Sequence, residues 1–262
     1  MIQARDYAFA LRVECRRFPL GFANGFTAHS TSIDLVIFYL AFRSEAPACT
    51  RDIMESDSAV TIRNVTVSHV GDGIQIANGR SDSGGVLLAG LRYSIHDVIV
   101  DNLNAAKYAG FGTFAQISTG RGIPVVQDAT INHVTAFPSN AMLTLGDDIQ
   151  VNAPMTNFVF TNNMVNAGAY PVLTTCGGTA NCAYYNAPLI ALDACFQPYT
   201  FSHNAVIASS ANFPPSKYPF GNYFPPTAAA VDFVNYNGGD YHLQSNSPYK
   251  NAGTDGKVWG PM

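Results

Sequence analysis

The decapeptide VTIRNVTVSH at residues 60–69 returns downstream as YSIHDVIVDN, ATINHVTAFP, NFVFTNNMVN and YTFSHNAVIA. Aligned on the first apolar residue, the five put Ile62, Ile95, Ile131, Phe160 and Phe201 in one column. Five residues on, Val67, Val100, Ala136, Val165 and Val206 fill another, and successive copies stand 33, 36, 29 and 41 residues apart. Self-similarity at such a period marks stacked units, none of which can bury its apolar face alone. Each unit is a short β-branched or aromatic run broken by Gly, Asn, Asp and Pro, without helical periodicity between residues 60 and 210. The units are therefore strands. Strands that recur in one direction, one turn per repeat, stack like residues about 4.8 Å apart in parallel sheets. The expected fold is all-β, a parallel β-helix of about five visible coils with loop-rich caps.

Three regions follow. Residues 51–210 carry the coils. Residues 1–50 show no alignable copy and are expected to cap the first coil or to mediate oligomerisation, a homodimer being the favoured state, because a cut solenoid exposes an apolar end hungry for hydrogen bonds. Residues 211–262, rich in Pro, Gly and aromatics, are expected to form a lid of loops over the last coil.

Composition restricts function. With 47% hydrophobic and only 12% charged residues the chain suits an ordered protein with a neutral polar surface. A net charge of −4 without a Lys/Arg run offers no footprint for nucleic acid or an anionic membrane. The longest apolar run, LVIFYLAF at 35–42, is too short to span a bilayer, and no basic-then-apolar export signal opens this chain. Of the cysteines, Cys15 and Cys49 lie early while Cys176, Cys182 and Cys195 cluster, and none shows zinc-site spacing. A disulfide, Cys182–Cys195 first, is favoured over three inert thiols and fits an oxidising compartment.

Two residues after the first apolar column stand Asn64, Asp97, His133, Asn162 and His203; the next column holds Val65, Val98, Val134, Asn163 and Asn204. Asparagine tolerates left-handed turns and its amide can bond the neighbouring copy, so Asn162, Asn163 and Asn204 read as a structural ladder. Asp97 and His133 would lie on adjacent copies, with His96 beside them and His203 in the same column. A carboxylate next to imidazole orients a general base or shares a metal, or is a surface polar pair. His69 with Asp72, His96 with Asp97, and His133 form a His/Asp set on three consecutive copies, a ligand mix suited to a catalytic Zn²⁺ acting on esters or phosphoesters.

From about residue 60 to 257, the segments IRNVTVSHVGDGIQIANG, RYSIHDVIVDNLN, GTFAQISTG, INHVTAFP, FVFTNNMVNAGAYPV and GGDYHLQSNSPYKNAGTDG resemble secreted bacterial right-handed parallel β-helix proteins, a group abundant in soil acidobacteria. The resemblance implies a right-handed coil, an extracellular or periplasmic parent protein and a polysaccharide partner, and it makes the amino terminus look truncated. TLGDDIQ, with Asp147 and Asp148, resembles the paired aspartates of polygalacturonases, and VGDGIQI, with Asp72, their other acidic motif; the family's glycine-flanked histidine and Arg-x-Lys motif do not appear. By similarity to pectate lyases, Asp147 and Asp148 would bind Ca²⁺ and Arg92 or Arg121 would be the base. Tyr184, Tyr185, Phe213, Tyr218, Tyr223 and Phe224 either stack on sugar rings or pack the flank of the coils. The leading expectation is a polysaccharide lyase or glycoside hydrolase, with Asp97, His133, Asp147 and Asp148 as catalytic candidates. A metal-dependent (phospho)ester hydrolase and a non-catalytic glycan-binding solenoid are the alternatives.

Overall fold

The structure is a computed structural model that describes residues 60–118 apart from 78, 81–86 and 89, then 125–146, 154–174, 187–257 and Trp259. Strands dominate these residues. They run β1 (Val60–Ser68), β2 (Ile74–Ala77), β3 (Gly79–Arg80), β4 (Leu87–Leu88), β5 (Leu91–Asp101), β6 (Thr113–Ser118), β7 (Gln127–Ala136) and β8 (Ala141–Gly146). Then come β9 (Phe158–Thr161), β10 (Met164–Asn166), β11 (Val172–Thr174), β12 (Tyr199–Ser202), β13 (Ala205–Ile207), β14 (Phe233–Asn235) and β15 (Asp240–Leu243). Two α-helices interrupt them, α1 (Ala105–Tyr108) and α2 (Pro188–Cys195).

Nearly all pairing is parallel and between successive repeats. In the larger sheet β1, β5 and β7 pair in order, and the stack continues through β9 and β12 in its first half and through β10 and β13 in its second. Ile62, Ile95, Ile131, Phe160 and Phe201 are direct neighbours across these strands, as are Val67, Val100, Ala136, Val165 and Val206. Both columns read from the sequence are thus the register of the sheet. A second parallel sheet, β2–β6–β8–β11, places Ile74, Ala115, Leu143 and Val172 in a further buried column. The fold is mostly β, built on parallel sheets.

The halves of the larger sheet meet at a corner whose residue is Asn64, Asp97, His133, Asn162 or His203, with φ between 51° and 58°. That left-handed region penalises most L-residues by about 1–2 kcal/mol and is tolerated best by short polar side chains. It also shifts the alternation of side chains. Ile62 and Val65 both point inward although three residues apart, because the corner inserts one residue into the two-residue period.

The inner columns form one apolar core. Phe160 and Phe201 stack with centroids 5.0 Å apart, and Phe158 stacks on Phe196 at 4.2 Å. Just past the corner, valines on the first three copies give way to fully buried Asn163 and Asn204. Asn163 Oδ1 accepts from Val134 N and its Nδ2 donates to Ile131 O; Asn204 Oδ1 accepts from both Asn163 N and Nδ2. Asn222 extends the ladder, its Oδ1 accepting from Asn204 N and Nδ2. Residues 221–225 are a short sixth rung, with Val206 N and Ala208 N donating to Tyr223 O and Pro225 O.

The turns leading to the second sheet are clamped by Asp72, whose carboxylate accepts the N–H groups of Phe111 and Thr113 on the next repeat. Here Gly71 and Gly110 lie in backbone contact: a Cβ on Gly71 would stand 2.4 Å from Ala109 O. Gly71→Ala is expected to cost about 1–3 kcal/mol, since a backbone carbonyl cannot swing aside; an unchanged thermal midpoint would contradict this close approach.

The carboxy-terminal region does more than cover the last repeat. Phe213 and Tyr218 join the main core. Beyond them, Val231, Phe233, Tyr241, Leu243 and Trp259 pack on Met164, Ala205 and Ile207, the outward side chains of β10 and β13, with Ile99 and Phe137 at the edge. The segment therefore lies along the outer face of the larger sheet as a strap, folded through the antiparallel pair β14–β15.

Candidate functional site

In β5 the inward positions are Tyr93 and Ile95, so Ser94 and His96 face outward. Asp97 follows at the corner, and its left-handed backbone returns the carboxylate toward the preceding side chain. His96 Nδ1 and Asp97 Oδ2 are 2.7 Å apart, the imidazole 31% exposed and the carboxylate 9%. Neutral imidazole can bond a carboxylate through Nδ1 only if the proton sits there, which makes Nε2 the acceptor. His96 Nε2 has no hydrogen-bond partner among the described residues.

The sheet register supplies the neighbours. Arg63 on β1 and Asn132 on β7 pair directly with His96, and the column continues through Thr161 and Ser202. Asn132 Nδ2 donates to Thr161 Oγ1 at 2.9 Å. A carboxylate-oriented imidazole thus stands in register between an arginine and an asparagine, with strand backbones about 4.8 Å apart. Arg63 and Asn132 escaped the sequence reading, although both sit one residue after the first apolar column.

The other expected site residues are dispersed. His69 is exposed beyond β1, with Nδ1 2.8 Å from Ser68 Oγ and its ring edge-on to Tyr108. Asp72 spends both carboxylate oxygens on backbone N–H groups. His133 is 3% exposed, and its Nε2 lies 2.8 Å from Asp255 Oδ2. His69, Asp72, His96, Asp97 and His133 therefore do not form one ligand set; among the described residues no three His, Cys, Asp or Glu side chains gather closely enough to hold a metal ion. The register explains why. It stacks corner residues on corner residues, whereas His69 and Asp72 lie five and eight positions beyond the corner. His133 is a docking point for the strap rather than a member of the outward column.

Asp147, Asp148, Arg121, Tyr184, Tyr185, Cys176 and Cys182 lie outside the described residues. Arg92 occupies another left-handed corner, four residues before His96, with φ 54°. Cys195 is disulfide-bonded, to a partner outside the described residues. Of the late aromatics, Phe213 and Tyr218 are buried and Phe224 packs against the core, which is the packing alternative for these three. Burial pushes the Tyr218 phenol up to about 12, opposed by its hydrogen bond with Ser209. Tyr223 is 38% exposed and stands edge-on to Trp259.

Asp255 titrates below the ordinary carboxylate range. Burial pushes it up, but the His133 hydrogen bond, the Lys257 N–H and the imidazole charge outweigh that. A carboxyl whose folded pKa is depressed stabilises the fold above its unfolded value of about 3.9, and that contribution is lost as pH falls through the folded value. The wild type should therefore exceed Asp255→Asn in thermal midpoint by a constant margin near neutrality, and the margin should close below about pH 4. A margin that stays open well below about pH 4 would contradict this pairing.

Among the described residues no helix is long and apolar enough to cross a membrane. The chain matches no protein-family model, no curated protein and no solved structure.

Proposed function

We propose that this chain is a secreted, right-handed parallel β-helix protein that cleaves an acidic polysaccharide by β-elimination, with His96 as the base. The repeat register, the parallel pairing of both sheets and the Asn163–Asn204–Asn222 ladder support the solenoid. The Cys195 disulfide fits an extracellular or periplasmic setting.

The observation that carries the chemistry is the His96–Asp97 pair in register with Arg63. In a uronate the proton on C5 is acidified by the adjacent carboxylate, more so when a guanidinium neutralises it. Arg63 would hold that carboxylate, His96 Nε2 would take the C5 proton, and Asp97 would stabilise the resulting imidazolium. The C5–H electron pair becomes the C4–C5 double bond while the C4–O bond breaks. The leaving oxygen keeps that bond's pair and is protonated from solvent. Asn132 would steady a neighbouring sugar. The His69, Asp72, His96, Asp97 and His133 set expected for zinc does not gather into one site among the described residues, and the steps above use only the protein's own side chains.

The test is incubation with polygalacturonate and alginate, followed by ultraviolet absorbance of the conjugated double bond. Product from the wild type and none from His96→Ala supports the reading. Retardation in a polysaccharide gel without product would instead assign a glycan-binding solenoid.

A further inference from the structure

Between Lys250 and the buried Trp259 the strap carries a loop, residues 251–257, that is mostly exposed and holds the stack through polar contacts at two consecutive corners. Thr254 N and Oγ1 donate to Asn162 Oδ1 at 3.1 and 3.4 Å, and Asn162 Nδ2 donates back to Thr254 Oγ1 at 3.1 Å. Asp255 Oδ2 takes His133 Nε2. Gly253 and Gly256 lie within the loop; Gly256 has φ +73° and open space where a Cβ would stand. From Asp255 to Lys257 no side chain of the loop joins the apolar cluster, and its contacts to the stack are hydrogen bonds to the two corners that it covers, whereas Ala252 before them and Trp259 beyond pack with the buried rings of the strap. The neighbouring corner on the other side of His133 is Asp97, whose Oδ1 is buried without a hydrogen-bond partner among the described residues. An unpaired buried carboxylate oxygen is costly and marks a surface that has a better partner in another state.

We infer that residues 251–257 form a lid over the corner column, and that its opening uncovers His133 and Asn162 in line with Asp97 to lengthen the site beside His96. Closed, the lid occupies the hydrogen-bonding edges of two corners. Open, Asp97, His133 and Asn162 form a polar row about 4.8 Å per step, alongside the outward column of Arg63, His96 and Asn132. Such a row fits the hydroxyl and carboxylate groups of a second sugar strand edge. Its use in turnover rests on the His96 reading; the lid itself does not.

Histidine carbethoxylation mapped by mass spectrometry separates the two. In the full chain His133 should react at least about tenfold more slowly than exposed His242, because only the open population is reactive. Gly256→Ala, which strains the closed loop without touching either latch, should raise the His133 rate about fivefold. The double variant Thr254→Ala/Asp255→Ala should bring it close to the His242 rate. His203, a corner residue whose hydrogen bonds go to Ser202 and Gly221 instead of the loop, should be unchanged throughout. Wild-type His133 reacting as fast as His242, or staying slow in both variants, would overturn the lid. A rise shared by His203 would also overturn it, since the loop would then open only with the whole fold.

Discussion

Replacing Asn204 with alanine is expected to remove about 4 kcal/mol of stability, a large share of what a folded domain has. The side chain is fully buried, accepts two hydrogen bonds from Asn163 and donates to Phe160 O and Asn222 Oδ1. Truncation leaves the Asn163 N–H and the Phe160 carbonyl without these partners, and each orphaned buried group costs about 1–3 kcal/mol. The copies stacked above and below are then less well tied, so the loss should not stay at one rung. Urea denaturation would measure it as a lower midpoint at constant slope. Asn64→Ala provides the contrast: that residue is exposed at its corner, and its loss should amount to the left-handed penalty of about 1–2 kcal/mol. Were Asn204→Ala no worse than Asn64→Ala, the amide ladder would be ornament rather than framework.

The second large effect concerns the β-elimination proposed for this chain. Asp97→Asn keeps a side chain that tolerates the left-handed corner, so the fold should survive. An amide cannot hold the imidazole as a carboxylate does or stabilise its cation. Turnover should fall by about 10²–10⁴-fold, the range attributable to a positioned general base. His96→Ala should fall by a similar factor, and the double variant little further, because the two residues act as one unit. Equal rates for wild type and Asp97→Asn would remove Asp97 from the mechanism while leaving the fold assignment untouched.

The larger sheet was legible because its strands recur with an unvarying five-residue step between apolar columns, so alignment of Ile62 with Ile95 and Val67 with Val100 was already the register. The second sheet was not. Its strands follow turns of unequal length, as between Ser68 and Ile74 or Asp101 and Thr113, which destroys any fixed offset. Asn222 was missed for the same reason: its rung begins after the loop that carries Phe213 and Tyr218. At the site, His96 and Asp97 are adjacent in sequence, so their contact needed only the corner to turn one toward the other. The partner of His133 stands 122 residues away and belongs to no repeat, and no local pattern announces it.

The corners carry a consequence for how such a surface acquires chemistry. A backbone turn that admits mainly short polar residues sets asparagine, aspartate and histidine side by side along one edge for reasons of conformation alone. Bases, carboxylates and amides are then present, evenly spaced and on a rigid support, before any substrate exists to select them. A new activity in a stack of this kind needs only the exchange of one turn-tolerant residue for another, and the framework absorbs the change because each of them already satisfies the bend.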